Sequence, residues 1–263
     1  LDSNYIKPLK VMLKSIFINN GEETFDIYLM HSSINRKELE ELDSFIVTHG
    51  SRLETVNLSD SYFEDAPVPM HYTKAMYYRL LAFRFLPSNL ERILYLDPDI
   101  LVINPLKELY NTDIDGYLYA AAYHDIITPK RINRLRLNPY EIEAYYNSGV
   151  LLMNLKLQRE LIDEHEIFDF VKKNRAKLIM PDQDVLNALY SKKIKSLDEK
   201  MYNYDARYYN YYRIKSGYEW DMDCVINNTV ILHFCGKRKP WNKNYSGKFH
   251  SLYKHYEKLA LNQ

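Results

Sequence analysis

The stretch RILYLDPDILVIN, residues 92–104, contains two apolar runs on either side of Asp97, Pro98 and Asp99. Short apolar runs that are bounded by turn residues predict buried strands. Two carboxylates at the end of a buried strand need a neutralising partner, because an unpaired buried charge is costly. This stretch therefore predicts a strand that delivers Asp97 and Asp99 to a polar site.

The spacing of Asp97 and Asp99 allows both carboxylates to bind one ligand. Residues i and i+2 of a strand face the same side, and Pro98 restricts φ and favours a turn or an edge. Two hard oxygen ligands suit Mg²⁺ or Mn²⁺. The same spacing recurs at 113–115, 182–184 and 221–223, where a capped polar loop explains it equally well. Only the apolar strand ahead of Asp97 distinguishes this triplet.

The composition bounds the class of function. With 263 residues the chain suffices for one large α/β domain, although two domains are also possible. Its 35 basic residues equal its 35 acidic residues, so nothing indicates a nucleic acid partner. We expect no signal peptide and no membrane-spanning run. Cys224 and Cys235 lack metal-pair spacing and are expected as thiols in a reducing compartment.

The first hundred residues alternate between helix and strand patterns. The predicted elements are helices at 5–19, at 36–48 with Ser33 as cap and at 73–85 with Thr73 as cap, and strands at 25–30, 53–58 and 93–96. Residues 1–5 resemble the end of a strand that begins upstream. This alternation favours βαβ units in a mainly parallel sheet. Asp97 then lies at a carboxyl end of a strand, where open α/β sheets bind ligands.

The second half continues the pattern less regularly. Predicted elements are strands at 118–123, 146–155, 194–197 and 230–234, helices at 157–173, 180–190 and 249–261, and a loop at 126–144. Gly149 lies inside a strand, where glycine often marks the close approach of a ligand or backbone. Asp182 follows Pro181 in the first turn of its helix, a position that favours a carboxylate.

His233 closes the apolar run at 230–232 much as Asp97 closes its own strand. A satisfied core histidine is the ordinary interpretation. Gly236 and the cations at 237–239 favour a different one, because glycine permits close backbone approach and cations suit phosphate. Asp97, Asp99 and His233 on one metal, with Lys239 on phosphate, would form a complete diphosphate clamp.

Four blocks carry a resemblance to a known family: LYLDPDILV at 94–102, NSGVLLMNL at 147–155, DQDVLN at 182–187 and HFCGKRKPW at 233–241. In order and spacing they resemble the family 8 retaining glycosyltransferases, which include lipopolysaccharide galactosyl- and glucosyltransferases and glycogenin. The resemblance extends from residues 2–5 to Trp241. It implies one α/β domain of glycosyltransferase-A type over 1–263, with a central, mainly parallel, mixed sheet flanked by helices and a C-terminal helical extension from about 248.

The resemblance also implies a UDP-sugar donor, a glycan or glycolipid acceptor, and Mn²⁺ or Mg²⁺ as cofactor. The metal ligands would be Asp97, Asp99 and His233. The donor-binding residues would be Asp2 and Asn4 at the nucleotide, Arg79 at the sugar or phosphate, Gly236 and Lys239 at the diphosphate, and Asn147, Asp182, Gln183 and the loosely aligned Asp125 around the sugar. The implied reaction is hexose transfer, from UDP-glucose or UDP-galactose, in cell-surface polysaccharide synthesis.

Retention requires either a nucleophile or attack from the leaving-group face. Gln183 lies where the family's candidate nucleophile is found, but an amide is a poor nucleophile. We therefore expect front-face attack, with a UDP oxygen helping to deprotonate the acceptor and Asp182 positioning a donor hydroxyl.

Two alternatives belong to other classes. A haloacid-dehalogenase-type phosphatase also places Asp-x-Asp after an apolar strand, but its motif usually lies near the chain start. A non-catalytic carbohydrate-binding protein would use the 25 tyrosines as a sugar-binding face. The expected location is the cytoplasm, with a peripheral contact to the inner membrane face if Phe249, Tyr253 and Tyr256 meet lipid. The alternative is that this last helix packs on the core.

Overall fold

The computed structural model describes residues 1–58, 63, 66–67, 76–123, 136–137, 140, 142 and 144–262. Within these ranges the strands are β1 Asp26–His31, β2 Arg52–Asn57, β3 Arg92–Leu96, β4 Ile100–Val102, β5 Tyr119–Ala122, β6 Val150–Asn154, β7 Ile194–Leu197, β8 Tyr204–Asp205 and β9 Ile231–His233. The helices are α1 Ile6–Asn19, α2 Arg36–Val47, α3 Met76–Leu80, α4 Ala82–Phe85, α5 Lys107–Tyr110, α6 Leu155–Leu161, α7 Glu164–Asn174, α8 Pro181–Tyr190, α9 Glu199–Tyr202, α10 Tyr209–Lys215, α11 Met222–Asn228 and α12 His250–Leu261.

The described strands form three sheets, ordered β1-β2, β3-β6-β5-β7 and β4-β9-β8. The pairs β1-β2, β5-β7 and β8-β9 are parallel, and the pairs β3-β6, β5-β6 and β4-β9 are antiparallel. The predicted α/β class with mixed pairing and flanking helices is confirmed. Parallel pairing does not predominate among these strands, because β6 runs antiparallel to both of its neighbours.

Helix α2 begins at a different cap from the one predicted. Asn35 is the cap: its side chain accepts a hydrogen bond from the Glu38 N–H at 3.0 Å, and the Glu38 carboxylate accepts one from the Asn35 N–H at 3.3 Å. Ser33 lies two residues too early, because only a residue directly before the first turn can reach its free N–H groups.

The helix predicted at 73–85 is divided in the structure. Helices α3 and α4 are separated by Leu81, whose φ of −113° and ψ of 17° lie outside the helical region. The predicted end at Phe85 is confirmed, since Pro87 follows closely. The predicted cap, Thr73, lies outside the described residues.

Helix α12 packs along α1 and belongs to a core cluster with strands β4 and β9. Phe249, Tyr253 and Tyr256 are all buried in this cluster. These rings therefore contact the protein interior, and they are not available to a membrane surface. Among the described residues, no helix has the length and apolar character needed to span a bilayer.

The turn at residues 97–99 connects two sheets, since it joins β3 to β4. The Asp97 N–H donates to the Gly149 carbonyl at 2.8 Å, at the start of β6. The Phe234 N–H donates to the Asp99 carbonyl at 2.9 Å, at the end of β9. Backbone hydrogen bonds thus hold both carboxylate residues at the point where the two sheets meet.

Candidate active site

Three residues with metal-ligating side chains converge at this meeting point. Asp97 follows β3, Asp99 precedes β4, and His233 is the last residue of β9. One ligand atom from each lies within 4.8 Å of the other two. The strand register explains the convergence, because β4 and β9 pair antiparallel with Ile100 opposite His233. The structure thus brings together the three residues that the sequence predicted as metal ligands.

Asp99 is buried and faces two cationic groups. Its Oδ1 lies 3.3 Å from His233 Nε2, and its Oδ2 accepts a charged hydrogen bond from Lys239 Nζ. Burial alone would raise the pKa of Asp99, but His233 and Lys239 hold this pKa well below its ordinary value. Asp99 is therefore an ionised carboxylate that can only accept hydrogen bonds or bind a cation.

The imidazole ring of His233 is buried, with its Nε2 atom towards Asp99 and its Nδ1 atom towards Asn203. Burial lowers the pKa of His233, whereas Cys235 and Asp99 act in the opposite direction and hold this pKa well above its ordinary value. The Nδ1 atom lies 2.8 Å from Asn203 Oδ1. Because only a neutral imidazole binds a metal, a cation that binds His233 displaces its Nε2 proton.

Asp97 is held by an aromatic hydroxyl and a guanidinium. Tyr95 donates its hydroxyl hydrogen to Asp97 Oδ1 at 2.7 Å, and Arg79 Nη2 lies 3.0 Å from the same oxygen. Burial raises the pKa of Tyr95 well above its ordinary value, so its hydroxyl remains a donor. The Arg79 guanidinium also stacks 4.7 Å from the centre of the Tyr95 ring.

Arg79 connects the metal-ligating cluster to the start of α8. Its Nε lies 3.1 Å from Asp182 Oδ2, and its Nη1 donates to the Ser148 carbonyl at 2.9 Å. The Ser148 hydroxyl donates to the same Asp182 oxygen at 3.0 Å. One guanidinium therefore orients two carboxylates from different elements, which is the planar, multidentate geometry that arginine favours.

Gln183 and Asn147 lie side by side, and each is next in sequence to a residue that contacts Arg79. Gln183 Oε1 accepts a hydrogen bond from the Ser148 N–H at 3.2 Å, and Asn147 Nδ2 approaches it at 3.5 Å. The Gln183 oxygen thus faces the backbone at the start of β6. This arrangement suits an amide that positions neighbours better than one that attacks a sugar carbon.

The third residue of the DQD block has a different environment. Asp184 is fully buried and accepts hydrogen bonds from Arg136 Nη1 at 2.7 Å, from the Tyr145 hydroxyl at 2.6 Å and from the Ile179 N–H at 2.8 Å. Asp184 therefore anchors the N-terminus of α8 to its surroundings, and it places Asp182 and Gln183 without facing the metal-ligating cluster.

The residues fit a divalent metal. Gly149 leaves the space they need, because a Cβ at this position would lie 2.5 Å from His233 Cε1 and 2.8 Å from Asp97 Oδ2. Two carboxylates and one imidazole form a donor set compatible with divalent first-row metals and, through the oxygens, with Mg²⁺. Gly149, Asp97, Asp99 and His233 therefore form a cradle that could hold such a cation.

The remaining predicted residues are placed as follows. Asp2 accepts a hydrogen bond from the Asn4 N–H at 2.9 Å and lines the same cleft of about 1230 Å³ as Arg79 and Lys239. Asn4 is exposed and lies outside that lining. Asp125 lies outside the described residues.

Gly236 lies in the loop after β9 with φ of 87°. A Cβ at this position would lie 2.8 Å from Arg207 Nη1, and the positive φ disfavours any other residue. The loop that carries Lys239 therefore depends on glycine for its path.

Sequence analysis missed three residues that hold the site. The position of Tyr95, two residues before Asp97, was a usable signal, because i and i−2 share a strand face. Ser148 lies within the NSG block and could have been included with Asn147. Asn203 carried no signal, since it lies in an aromatic segment without regular periodicity.

Comparisons with known proteins agree with this geometry. A sequence profile described as Glycosyl transferase family 8 matches residues 1–245. General stress protein A of Bacillus subtilis (strain 168) is 26% identical over 263 residues, which cover 97% of this chain and 90% of the relative. A lipopolysaccharide 1,2-glucosyltransferase of Escherichia coli (strain K12) is 26% identical over 251 residues, which cover 92% of this chain and 71% of the relative.

The crystal structure of the galactosyltransferase LgtC with donor and acceptor sugar analogs has a similar fold. Its TM-score is 0.80 at 20% sequence identity, over 98% of this chain and 94% of that one. This likeness confirms the predicted glycosyltransferase-A-type fold. The phosphatase and the non-catalytic carbohydrate-binding alternatives have no support among these matches. The chain belongs to glycosyl transferase family 8 and is a glycosyltransferase.

Proposed function

We propose that this enzyme transfers glucose or galactose from a UDP-sugar to a hydroxyl group of a glycan or glycolipid, with retention, in the synthesis of cell-surface polysaccharide. The observation that carries the proposal is the convergence of Asp97, Asp99 and His233 with the cations Arg79 and Lys239 at one cleft. A diphosphate brings negative charge that such a group of cations and metal ligands would neutralise. The relatives named as lipopolysaccharide glucosyltransferases support a hexose donor.

Mn²⁺, with Mg²⁺ as a substitute, is the metal we propose at Asp97, Asp99 and His233. Mn²⁺ accepts the imidazole together with the carboxylates, whereas Mg²⁺ prefers oxygen ligands. When bound, the metal supplies a Lewis acid at the leaving diphosphate.

The chain's own residues would hold the donor around that metal. Lys239 would turn from Asp99 to the diphosphate, and Gly236 would leave room for the diphosphate beside the loop. Arg79 would keep Asp97 and Asp182 oriented, as its ion pairs do in the free chain. Asn147, Gln183 and Asp125 would surround the sugar, and Asp2 and Asn4 would border the nucleotide.

We propose front-face transfer as the chemical step. The bond between the sugar C1 and the UDP oxygen breaks, a bond between C1 and the acceptor oxygen forms on the same face, and the acceptor proton passes to the departing phosphate oxygen. Asp182, which Arg79 and the Ser148 hydroxyl contact, would orient a donor hydroxyl and stabilise the positive charge that develops on the sugar. The hydrogen bond from the Ser148 N–H to Gln183 Oε1 supports a positioning role for Gln183.

Two further features complete the proposal. We propose that residues 1–263 form one catalytic domain, and the packing of α12 on α1 supports including the C-terminal helix. A cytoplasmic location, with peripheral contact to the inner membrane face when the acceptor is a lipid, is consistent with Cys224 and Cys235 not being joined by a disulfide.

The test is UDP release from UDP-glucose and UDP-galactose without acceptor, with Mn²⁺ and with EDTA. We expect slow hydrolysis of one donor that depends on the metal. Asp97→Asn should nearly abolish it, while the matched variant Asp113→Asn, in another Asp-x-Asp triplet away from the site, should leave it unchanged. Absence of turnover together with absence of calorimetric UDP binding in Mn²⁺ would contradict the proposal.

A further inference from the structure

Asn203 lies fully buried between the metal-ligating half and the sugar-facing half of the site. It follows α9 and precedes β8, which runs parallel to β9 with Asp205 opposite His233. Its Oδ1 lies 2.8 Å from His233 Nδ1, and its Nδ2 lies 3.0 Å from Asn147 Oδ1. Both ends of one buried amide therefore contact residues of the site.

The directions of these hydrogen bonds follow from one backbone group. The Gly149 N–H donates to the Asn147 side chain at 2.9 Å, and a backbone N–H can only donate. The accepting atom of Asn147 is therefore its carbonyl oxygen. Because that same oxygen faces Asn203, Asn203 must present its NH₂ group there. The opposite end of Asn203 is then the carbonyl oxygen, which faces His233.

His233 consequently carries a hydrogen on Nδ1, because a carbonyl oxygen can only accept. In the neutral ring the lone pair is then on Nε2, the atom that lies 3.3 Å from Asp99 Oδ1. This is the tautomer that a metal at the cluster of Asp97, Asp99 and His233 requires. The hydrogen bond of the other nitrogen commonly sets the tautomer and ring orientation of metal-bound histidines.

Asn147 is oriented by the same amide. Its Oδ1 accepts from both Gly149 and Asn203, so its NH₂ group is directed away from them and towards Gln183. Without the Asn203 donor, the Asn147 amide would lose one of two contacts that determine its orientation. Only the Gly149 N–H would then direct the Asn147 NH₂ group towards Gln183.

We propose that Asn203 is a positioning residue that sets the metal-binding tautomer of His233 and the amide orientation of Asn147 at the same time. The first half concerns metal binding and needs no nucleotide. The second half rests on the proposed function, because it concerns the sugar of the donor.

Two substitutions separate the halves. Asn203→Leu has similar size and removes both hydrogen bonds, so Mn²⁺ affinity should fall roughly 10–100-fold. Asn203→Asp keeps an acceptor for His233 Nδ1 and should retain most of that affinity, but its carboxylate faces Asn147 Oδ1 without a hydrogen to donate. In this variant the ratio of the affinity for UDP-glucose or UDP-galactose to the affinity for UDP should therefore fall roughly tenfold, which is the effect of losing one hydrogen bond.

Mn²⁺ binding is measured with the metal alone, by electron paramagnetic resonance of the free ion, and then with UDP and UDP-sugar by calorimetry. Asn20→Leu is the matched control, since Asn20 is buried and its side chain bonds the Ile16 and Leu106 backbone away from the cluster. Thermal unfolding of each variant reports general destabilisation. The control should lose stability without losing Mn²⁺.

A spectroscopic measurement on the unaltered chain tests the tautomer directly. With ¹⁵N-labelled histidine and diamagnetic Zn²⁺, which binds imidazole nitrogen, in place of paramagnetic Mn²⁺, the His233 signals, identified by their absence in His233→Gln, should show hydrogen on Nδ1 and none on Nε2. The opposite tautomer would overturn the inference even if Asn203→Leu failed to fold.

Three other outcomes would also overturn it. These are unchanged Mn²⁺ affinity in Asn203→Leu, equal loss of Mn²⁺ in Asn203→Leu and Asn203→Asp, and no Mn²⁺ binding by the unaltered chain. Loss of Mn²⁺ affinity in Asn203→Leu but not in Asn203→Asp or Asn20→Leu, combined with no binding of UDP to any of them, would reject the proposed donor and leave the role of Asn203 towards His233 supported.

Discussion

Lys239 donates a charged hydrogen bond to Asp99, a residue of the metal-ligating cluster, and a second hydrogen bond to the Phe234 carbonyl at 3.1 Å. The carboxylate of Asp99 is thus neutralised by the chain itself. A metal at the cluster and the Lys239 ammonium compete for the same carboxylate. The lysine is consequently a cation that a bound metal would release towards the diphosphate.

This competition makes the effect of Lys239→Met depend on the ligand. Mn²⁺ alone should bind at least as tightly as to the unaltered enzyme, because its competitor is gone, while UDP in the presence of Mn²⁺ should bind more weakly. Calorimetric titration of both ligands measures this. Lys243→Met, which alters an exposed cation nearby, should change neither affinity. Weaker binding of Mn²⁺ alone to Lys239→Met would contradict the competition.

Arg79→Met should lower both stability and activity. Arg79, Asp97 and Asp182 have side chains exposed by only 18%, 22% and 18%, so removing the cation leaves two carboxylates poorly compensated. We expect a loss of about 2 kcal/mol in the free energy of unfolding, less than for a fully buried pair because some solvent reaches the group.

Denaturant unfolding of Arg79→Met measures the stability, and UDP release measures the activity. Arg84→Met is the control, since Arg84 is 48% exposed and its contact to Glu164 is 3.8 Å long. Such a surface pair contributes less than about 1 kcal/mol. Equal stability losses in the two variants would argue against the bridging role of Arg79.

Gly149→Ala should impair metal binding more than folding. The added methyl group would lie within contact distance of His233 and Asp97, and these side chains would have to move apart. Mn²⁺ affinity should fall at least roughly tenfold, and the unfolding free energy should fall by about 1–3 kcal/mol. In the control Gly21→Ala the nearest atom would be 4.0 Å away, so Mn²⁺ affinity should not change. Unchanged Mn²⁺ affinity in Gly149→Ala would show that the cluster does not bind the metal.

Gln183→Ala should retain part of its activity. Front-face transfer requires no protein nucleophile, and loss of one positioning amide should lower kcat roughly tenfold. Asp97→Asn removes a proposed metal ligand and should lower kcat by about 10²–10³-fold or more. Rates of donor hydrolysis and acceptor transfer compare the two variants. Equally complete loss in Gln183→Ala would instead favour a nucleophilic role.

Much of the local structure follows from short-range patterns. The apolar runs at 92–104 predicted β3 and β4, and the glycine and proline signals predicted the ends of α1 and α4 to within one residue. The cap of α2 was assigned to Ser33 instead of Asn35, because several cap-forming residues stand close together there. The sequence also predicted one cluster of metal ligands from Asp97, Asp99 and His233, and these side chains form a cluster in the structure.

Strand pairing was harder to predict from the sequence than the local structure was. An antiparallel β6 between β3 and β5 cannot be inferred from alternation of helices and strands, since pairing depends on how distant segments pack. For the same reason periodicity and spacing do not separate Asp182, which contacts Arg79, from Asp184, which anchors α8 to Arg136, and only the family resemblance selected Asp182.

Residue order alone was sufficient for the α/β class, the family and the chemical types at the site, because these depend on local periodicity and on short blocks that each lie on one element. Only the folded chain decided which groups hold the ligands in place. Arg79 on α3 reaches Asp182 on α8, and Asn203 reaches both His233 and Asn147, so that these contacts join elements that are far apart in sequence. Hydrogen bonds of this kind are set by side-chain direction and burial, and these exist only after distant elements have packed.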